Sequence, residues 1–252
     1  MQNIDLNADL GEGFGRYECG DDRALLSIVT SANVACGAHA GDPEIMATTF
    51  RIAKEHSVAV GAHPGFPDLW GFGRRRIPFT AGEIERLVAY QVGAAQALAT
   101  YSGHHLTYVK PHGALANIAE SGRDVAMALA RAVRAVDPSL IFLGIALSEQ
   151  LRAAMDCGLK IVAEIYADRG YSEDGTLLPR GTPGALIKDS RVAAQRVVQM
   201  VRSNAIITRS GQHLAAEIGS VCVHGDSAYA VQTAELVRAE LEEAGLRISA
   251  FS

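Results

Sequence analysis

The chain has 252 residues, 48% of them hydrophobic and 20% charged, so it is long and apolar enough to bury a large core. Its formal net charge of −5 and its pI near 5.9 disfavour nucleic acid and anionic membrane surfaces as partners. No apolar stretch approaches the roughly 20 residues that span a bilayer, and Met1–Asp5 lacks the pattern of a secretory signal, so we expect a cytoplasmic protein.

Short apolar runs alternate with longer segments of helical periodicity, as is typical of repeated βα units on a parallel sheet. No repeat or low-complexity linker interrupts the series. The pattern predicts an α/β fold, a single β/α-barrel domain over residues 1–252 with about seven parallel strands. The predicted strands are Ile4–Asp9, Ser31–Cys36, Val58–Ala62, Leu106–Lys110, Leu140–Ile145, Ile161–Ile165 and Ser220–Val223. Leu246–Ala250 is a candidate for an eighth.

Capping residues mark the predicted helix starts. Asp42-Pro43 places a capping carboxylate before a proline that suits the first helical turn. Thr80-Ala81-Gly82-Glu83 has the spacing of a capping box, and Ser121-Gly122-Arg123-Asp124 predicts a second cap with the same spacing. The last helix is predicted to begin at Asp226-Ser227-Ala228, with Asp226 as its cap. Two long loops, 64–80 and 168–189, follow strands, where barrel enzymes carry active-site lids.

The eight histidines fall into two groups relative to the predicted strands. The first group follows strands closely and consists of His39, His63, His112 and His224. The second precedes strands or lies in helices and consists of His56, His104, His105 and His213. In a parallel barrel the first group faces the catalytic rim and the second the opposite rim. A single histidine at a strand end is more often structural, but four on one rim favour a functional site.

Carboxylates and one lysine are predicted at the same rim. Asn7 and Asp9 are two apart in the first strand and therefore point to the same side, with Glu12 in the loop above. Lys110 ends an apolar strand, where a buried ammonium needs an anionic partner, either Asp9 or a substrate oxyanion. Converging acids, imidazoles and a lysine suit acid–base chemistry or metal binding.

A second set of charged residues closes the sixth predicted strand and consists of Glu164, Asp168 and Arg169. These residues suit either a functional site or an ion pair that fixes a lid.

The four cysteines form no Cys-x-x-Cys pair, and the apolar surroundings of Cys36 and Cys222 favour small core residues over nucleophiles. Gly11-Glu12-Gly13-Phe14-Gly15-Arg16 lacks the third glycine of a dinucleotide loop, and the chain has neither a P-loop nor a Gly-x-Ser-x-Gly elbow. ATP binding by a P-loop and serine-hydrolase chemistry are both disfavoured.

Five long motifs, together with Val223-His224-Gly225-Asp226, carry a resemblance to a known family. The motifs are Asp5-Leu6-Asn7-Ala8-Asp9-Leu10-Gly11-Glu12-Gly13-Phe14-Gly15, Ser31-Ala32-Asn33-Val34-Ala35-Cys36-Gly37-Ala38-His39-Ala40-Gly41-Asp42, Gly61-Ala62-His63-Pro64-Gly65-Phe66-Pro67-Asp68, Val109-Lys110-Pro111-His112-Gly113-Ala114-Leu115 and Glu164-Ile165-Tyr166-Ala167-Asp168-Arg169. Over essentially the whole chain the sequence resembles the LamB/YcsF family, the A subunit of prokaryotic ATP-dependent 5-oxoprolinase. The resemblance implies ATP-coupled ring-opening of 5-oxo-L-proline to L-glutamate in complex with subunits B and C. It also implies a fold similar to glycoside hydrolase and deacetylase barrels.

Within that activity the residues suggest separate roles. Ring-opening of a lactam needs an activated carbonyl, which phosphorylation by ATP, performed or assisted by the partner subunits, would supply. Asp9 or Glu12 is then the candidate general base, His63 or His112 the general acid, and Lys110 the counter-charge for the phosphate or oxyanion. Bidentate contacts from Arg74 and Arg169 are candidates for holding the substrate carboxylate. The remaining candidates for substrate binding are Asn7, His39, Asp168 and His224.

Two alternatives from other classes stay open on the sequence. One is a stand-alone, metal-dependent, deacetylase-like hydrolase with Asp9, His63 and His112 as metal ligands. The sequence has no closely spaced pair of histidines that would fix the geometry of such a site, so it leaves open whether a divalent metal is bound. The other is a non-catalytic subunit that carries substrate for its partners. Metal analysis separates the first alternative, and an assay of the partners without this chain separates the second.

Overall fold

The computed structural model describes residues 3–226 and 229–252. Its helices and strands, in chain order, are β1 (Asn3–Leu10), α1 (Asp22–Leu26), β2 (Ser31–Ala35), α2 (Pro43–Glu55), β3 (Ala59–His63), α3 (Ala81–Tyr101), β4 (Leu106–Val109), α4 (Gly113–Ser121), α5 (Arg123–Val136), β5 (Ile141–Ile145), α6 (Glu149–Asp156), β6 (Ile161–Tyr166), α7 (Ser190–Ser203), β7 (Ala205–Ile207), β8 (His213–Ala215), β9 (Ser220–Val223), α8 (Ala230–Glu243) and β10 (Arg247–Ile248). A single 3₁₀ turn, Leu69–Gly71, lies in the loop after β3.

Seven parallel strands close into a barrel surrounded by helices. Strands β1 to β6 pair in chain order, and β9 closes the ring by pairing with both β6 and β1. The predicted seven-stranded parallel barrel is therefore confirmed. The eighth predicted strand is only the two-residue β10, which pairs with the start of β1 beside β9. Among the described helices, none is both long and apolar enough to cross a membrane.

The barrel interior is polar, because alternate residues of β1 point inward and are hydrophilic. Asp5, Asn7 and Asp9 contact side chains of β2, β6 and β9, and the Lys110 side chain after β4, across the interior. Leu6, Ala8 and Leu10, on the other side of the same strand, belong to the apolar core. Two-residue alternation thus builds a polar interior and an apolar layer from one strand.

The capping predictions are correct for two helices and wrong for two others. Asp42 and Thr80 cap α2 and α3 as predicted, the latter with a full capping box. Ser121 is instead the last residue of α4, and Gly122 is the N-cap of α5, which therefore has no side-chain cap. The last helix begins at Ala230 with Tyr229 at its N-cap, and Asp226 pairs with Arg74 rather than capping it. Ser227 and Ala228, which the prediction also included, lie outside the described residues.

The hairpin of β7 and β8 was not predicted. Its antiparallel strands have three residues each, too few to show a period in the sequence. His213, predicted to precede a strand or to lie in a helix, is the first residue of β8.

Candidate active site

The lowest polar layer of the barrel is a network around Asp5, which we call the base network. The Asp5 carboxylate accepts hydrogen bonds from the hydroxyls of Thr30, Ser31 and Ser220, with hydroxyl-to-Oδ1 distances of 2.7 Å for Thr30 and 2.6 Å for Ser31. Burial raises the pKa of Asp5 to about 6 despite these bonds. All of these hydrogen bonds join side chains of the barrel itself, so the network ties β1, β2 and β9 together.

Above this layer, Lys110 lies at the centre of what we call the lysine network. Its ammonium is 3.0 Å from Asp9 Oδ1 and 3.1 Å from Glu164 Oε2, and it also reaches Asn7 Oδ1 and Cys222 Sγ. The Lys110 side chain is almost fully buried. The anionic partner that the sequence required for Lys110 is therefore Asp9, with Glu164 as a second carboxylate.

The lysine network fixes the charge of Asp9. Burial alone would raise the pKa of this carboxyl, but the Lys110 ammonium and the nearby His63 hold it well below its usual range. Burial would likewise lower the pKa of Lys110, and the carboxylate of Asp9 together with Cys222 and Glu164 raises it well above its usual value. Asn33 donates a further hydrogen bond to Asp9 Oδ1, at 2.9 Å. Asp9 is thus an ionised carboxylate whose Oδ1 is already occupied.

Glu12, His39, His63 and His112 form a compact group at the top of the barrel, the histidine cluster. One ligand atom from each of the four lies within 4.8 Å of the others, and all four side chains are buried. The rings of His39 and His112 stack with centroids 3.6 Å apart. His112 Nδ1 is 3.0 Å from His63 Nε2 and 3.5 Å from Glu12 Oε1.

Burial shapes the protonation of this cluster. It lowers the pKa of His39 and of His112 well below the usual imidazole value, and the neighbouring imidazoles add to the effect. Burial and the negative charge of Asp9 raise the pKa of Glu12 well above its usual value. The cluster is a set of side chains for which extra charge is costly, unless an ion or substrate compensates it.

His224 and Asp168 form a separate pair on the other side of the mouth. His224 Nδ1 lies 2.8 Å and 2.9 Å from the two oxygens of Asp168. Since a carboxylate accepts, Nδ1 carries the proton, and the lone pair of the neutral ring is on Nε2. Burial would raise the pKa of Asp168, and the contact with His224 lowers it. A carboxylate that orients an imidazole in this way is the arrangement of a general base.

A cavity of about 380 Å³ opens between the histidine cluster and His224. Six of the predicted site residues line it: Asp9, His63, Arg74, His112, Arg169 and His224. The other five predicted residues, Asn7, Glu12, His39, Lys110 and Asp168, lie behind that wall. All eleven are therefore brought to one mouth, in two layers, and the volume suits a small molecule.

The arginines of the mouth differ from the prediction in their contacts. Arg169 is buried, and its guanidinium donates to the carbonyls of Ala185 and Leu178, which anchors the loop between β6 and α7. Arg74 pairs with Asp226 at 2.6 Å. Arg180, which the sequence did not single out, lines the cavity and forms no ion pair with a carboxylate among residues 3–226 and 229–252. Its guanidinium lies 3.5 Å from His224 Nε2.

Two further residues of the cavity wall were also missed. Glu120, near the end of α4, accepts from the Leu177 backbone N–H, and burial raises its pKa to about 7. Tyr166 ends β6, stacks on His224 and lies beside the Lys110 ammonium. Glu120 carried no signal in the sequence because it looks like one more polar residue of an amphipathic helix. Tyr166 stood in a quoted motif, and its place at a strand end was the signal that pointed to it.

The residues that the structure groups as candidate metal ligands differ from those suggested by the sequence. Asp9, His63 and His112 were the candidate ligands, but Asp9 Oδ1 is held by Lys110 and Asn33. The structure groups Glu12 and His39 with His63 and His112 instead. Imidazole nitrogens and one carboxylate are ligands that a divalent transition metal accepts.

Comparison with known proteins places this site in a family. Residues 4–252 match the model of the LamB/YcsF family. The chain belongs to the LamB/YcsF family. It is 63% identical to the 5-oxoprolinase A subunit of Azorhizobium caulinodans, over the full length of both chains. It is also similar to the crystal structure of the lactam utilization protein from Thermus thermophilus, with 41% identity, a TM-score of 0.93 and complete coverage of both chains.

A more distant likeness concerns the fold alone. A T48 deacetylase with substrate shares 14% identity and a TM-score of 0.51, over 98% of this chain and 87% of that chain. The predicted similarity of the LamB/YcsF barrel to deacetylase barrels is thereby confirmed.

Proposed function

We propose that this chain acts in the cytoplasm as the A subunit of an ATP-dependent 5-oxoprolinase, as one domain over residues 1–252, and opens the ring of 5-oxo-L-proline to give L-glutamate. Subunits B and C are the proposed partners, and ATP is handled with them, since the chain has no P-loop. The names of the relatives with high identity support the substrate. One observation carries the proposal. The cavity is lined both by an imidazole that a carboxylate orients, that of His224, and by a guanidinium without a carboxylate partner among the described residues, that of Arg180.

Arg180 is the residue we propose for the substrate carboxylate. It lines the cavity without a carboxylate partner among the described residues, whereas the donors of Arg169 are bound to backbone carbonyls. A guanidinium holds a carboxylate through two parallel hydrogen bonds, which fixes the orientation of the ring. Arg74, already paired with Asp226, contributes positive charge nearby. The lactam carbonyl would then face the wall of His63 and His112.

His224 is the residue we propose as the general base. Its Nδ1–H is held by Asp168, so Nε2 carries the lone pair. The Arg180 guanidinium lies 3.5 Å from this nitrogen, which would take a proton from water in the cavity once the substrate carboxylate binds Arg180. Asp9 and Glu12, the bases suggested by the sequence, are less suited. Asp9 is a weak base because its pKa is depressed, and Glu12 lies behind the cavity wall. Asp9 would instead hold Lys110 in place.

The reaction would begin with activation of the lactam by phosphoryl transfer from ATP to its oxygen. Water deprotonated by His224 adds to the ring carbonyl carbon, and the ring C–N bond breaks as the nitrogen takes a proton, which leaves γ-glutamyl phosphate. A second water would then hydrolyse this acyl phosphate to L-glutamate and inorganic phosphate. The proton on the nitrogen would return from His224. His63 and His112, the acids suggested by the sequence, are less suited, because their outer N–H groups are bound to backbone carbonyls. Lys110 lies behind Asp9 and would act on the reacting atoms through that carboxylate.

The test is glutamate formation from 5-oxo-L-proline and ATP by the complex reconstituted with subunits B and C. We expect no product when this chain is omitted, and full activity of the partners alone would contradict the proposal. Asp9→Asn and Lys110→Ala should each lower the rate by about two to four orders of magnitude. Near wild-type product formation by either variant would remove the role proposed for that residue.

A further inference from the structure

The outer nitrogens of His63 and His112 are both bound to backbone carbonyls. His63 Nδ1 is 2.7 Å from the carbonyl oxygen of Lys110, and His112 Nε2 is 2.8 Å from that of Phe72. A carbonyl oxygen only accepts, so each of these nitrogens must carry the hydrogen. In the neutral rings the lone pairs are therefore on His63 Nε2 and His112 Nδ1.

Those two lone pairs face each other at 3.0 Å, and His63 Nε2 also lies 3.4 Å from the carboxylate oxygen Asp9 Oδ1, which is a further acceptor. Two acceptors at hydrogen-bond distance repel, so the pair requires a positive centre between them, either a shared proton or a bound cation. An imidazole that donates its outer N–H to a backbone carbonyl while its inner nitrogen points at a common centre is the usual arrangement of a metal-binding histidine.

Glu12 supplies a third donor at the same centre. Its Oε1 lies 3.5 Å from His112 Nδ1 and belongs to the group of atoms within 4.8 Å of one another. Ligand atoms bound at about 2.1 Å to one ion lie about 3.0–3.5 Å apart, which matches the two separations from His112 Nδ1. No lysine or arginine forms an ion pair with Glu12 within residues 3–226 and 229–252. A cation would therefore also compensate this buried carboxylate.

His39 belongs to the cluster in a different way. Its Nε2 is 3.3 Å from Glu12 Oε1, and its buried Nδ1 has no hydrogen-bond partner in the described part of the chain. A carboxylate oxygen only accepts, so the hydrogen of the neutral His39 ring is assigned to the nitrogen that faces Glu12. Nε2 therefore carries the hydrogen and donates to Glu12, so His39 orients the carboxylate.

We propose that Glu12, His63 and His112 bind one divalent transition-metal ion of the Zn²⁺ or Mn²⁺ class, with His39 as the residue that positions Glu12. Two imidazoles and one carboxylate make a three-ligand site, which leaves a coordination position open for water or substrate. That position faces the cavity, since His63 and His112 line it. The proposal goes beyond the lactamase function and does not depend on it.

The test is metal binding by the untagged, chelator-treated chain alone, without 5-oxoproline, ATP or partner subunits. Titration calorimetry with Zn²⁺ and Mn²⁺ should give about one equivalent bound, and Co²⁺ should give a visible absorption band. Metal at 100 times its Kd should raise the Tm by about 5 °C or more. Because no reaction is assayed, failure here is separate from failure of the proposed function.

Three variants distinguish the proposed metal ligands from the residue that positions one of them. Glu12→Gln and His112→Gln should each weaken binding by more than about 100-fold, and His39→Gln by about 10–100-fold, because it acts through Glu12. His105→Gln, an exposed histidine at the opposite rim, is the matched control and should bind like the wild type. Circular dichroism of the metal-free proteins checks that each variant is folded.

Two results would overturn the proposal. One is a wild-type chain that takes up no metal at millimolar concentration, which would leave a shared proton between His63 and His112. The other is binding that survives unchanged in both Glu12→Gln and His112→Gln. If a variant does not fold, the wild-type titration and the Co²⁺ spectrum still decide between an ion and a proton.

Discussion

The base network and the histidine cluster are two buried polar layers of one barrel, and they differ in how completely their polar atoms are satisfied. Asp5 accepts from three hydroxyls of neighbouring strands. In the histidine cluster, His39 Nδ1 has no partner among the described residues, and two imidazole lone pairs face each other. Buried polar atoms that are satisfied stabilise a fold, whereas those left open are costly unless a ligand uses them.

The lysine network lies between these two layers and shares a property with each, because its charges are compensated within the barrel and one of its residues reaches the cavity. Lys110 compensates two buried carboxylates, and one of them, Asp9, reaches the cavity wall. The comparison therefore predicts a gradient from bottom to top. Changes in the base network should affect stability, and changes around Lys110 should affect both stability and activity. Changes of His224, Asp168 and Arg180 at the mouth should affect activity with little effect on stability.

The largest effect is expected at the mouth, for His224→Gln. Glutamine cannot take the proton of the attacking water, so glutamate formation by the reconstituted complex should fall about 10²- to 10⁴-fold. The Tm should stay close to that of the wild type, because Gln still reaches Asp168 with its amide. His105→Gln is the matched control. A His224→Gln complex with normal turnover would show that another group is the base.

Lys110→Met is the sharpest test of the middle layer. It leaves Asp9 and Glu164 as buried carboxylates without their cation, which should lower the free energy of unfolding by about 3–5 kcal/mol. Denaturant titration measures this change, with Lys160→Met on the surface as the control. A loss below about 1 kcal/mol would mean that the lysine network contributes little to the fold.

Variants of Arg180 and Arg169 test whether the first arginine binds the substrate and the second anchors the loop. Arg180→Gln should raise the KM for 5-oxo-L-proline about 10- to 100-fold, the value of a charge-assisted hydrogen bond, with little change in Tm. Arg169→Gln should instead lower the Tm, because it removes hydrogen bonds to two loop carbonyls. Arg191→Gln, an exposed arginine of α7, is the control for both. If Arg169→Gln alone raised the KM, the two roles would have to be exchanged.

The smallest expected effect is the pH dependence contributed by Glu120. Its pKa of about 7 lies above the ordinary value of 4.5, so the folded chain holds this proton more tightly than the unfolded chain. The resulting stability is complete below about pH 4.5 and is lost as the pH rises through about 7. Glu120→Gln has no such loss. It should gain about 1–3 kcal/mol over the wild type between pH 5 and pH 8 in denaturant titrations. An equal difference at both pH values would contradict the raised pKa.

Much of the fold could be predicted because its signals are local. The apolar runs of β1 to β6 and β9, and the caps at Asp42 and Thr80, depend only on neighbouring residues. The predicted capping box at Ser121 is wrong because Ser121 still belongs to α4 and Gly122 is the N-cap of the next helix. Asp226 failed as a cap because its carboxylate pairs with Arg74, which is distant in sequence.

The site could be predicted as a set of residues but not as a set of contacts. Parallel strands bring their carboxyl ends to one rim, so the positions of His39, His63, His112 and His224 in the chain were enough to group them. The sequence does not show which arginine of the cavity lacks a carboxylate partner among the described residues. Arg169 follows its strand directly yet donates to carbonyls of its own loop, whereas Arg180 returns to the cavity from the middle of that loop.

The contrast between satisfied and open polar layers is tested most directly by comparing Asp168→Asn with Asp5→Asn in the same reconstituted complex. Asp168→Asn should lower glutamate formation about 10²- to 10⁴-fold, since the new amide can donate to His224 Nδ1 and no longer fixes the tautomer of the ring, while the chain stays folded. Asp5→Asn should lower the free energy of unfolding by about 1–3 kcal/mol and keep its turnover per folded molecule. Near wild-type turnover in Asp168→Asn, or lost turnover in a fully folded Asp5→Asn, would contradict the account.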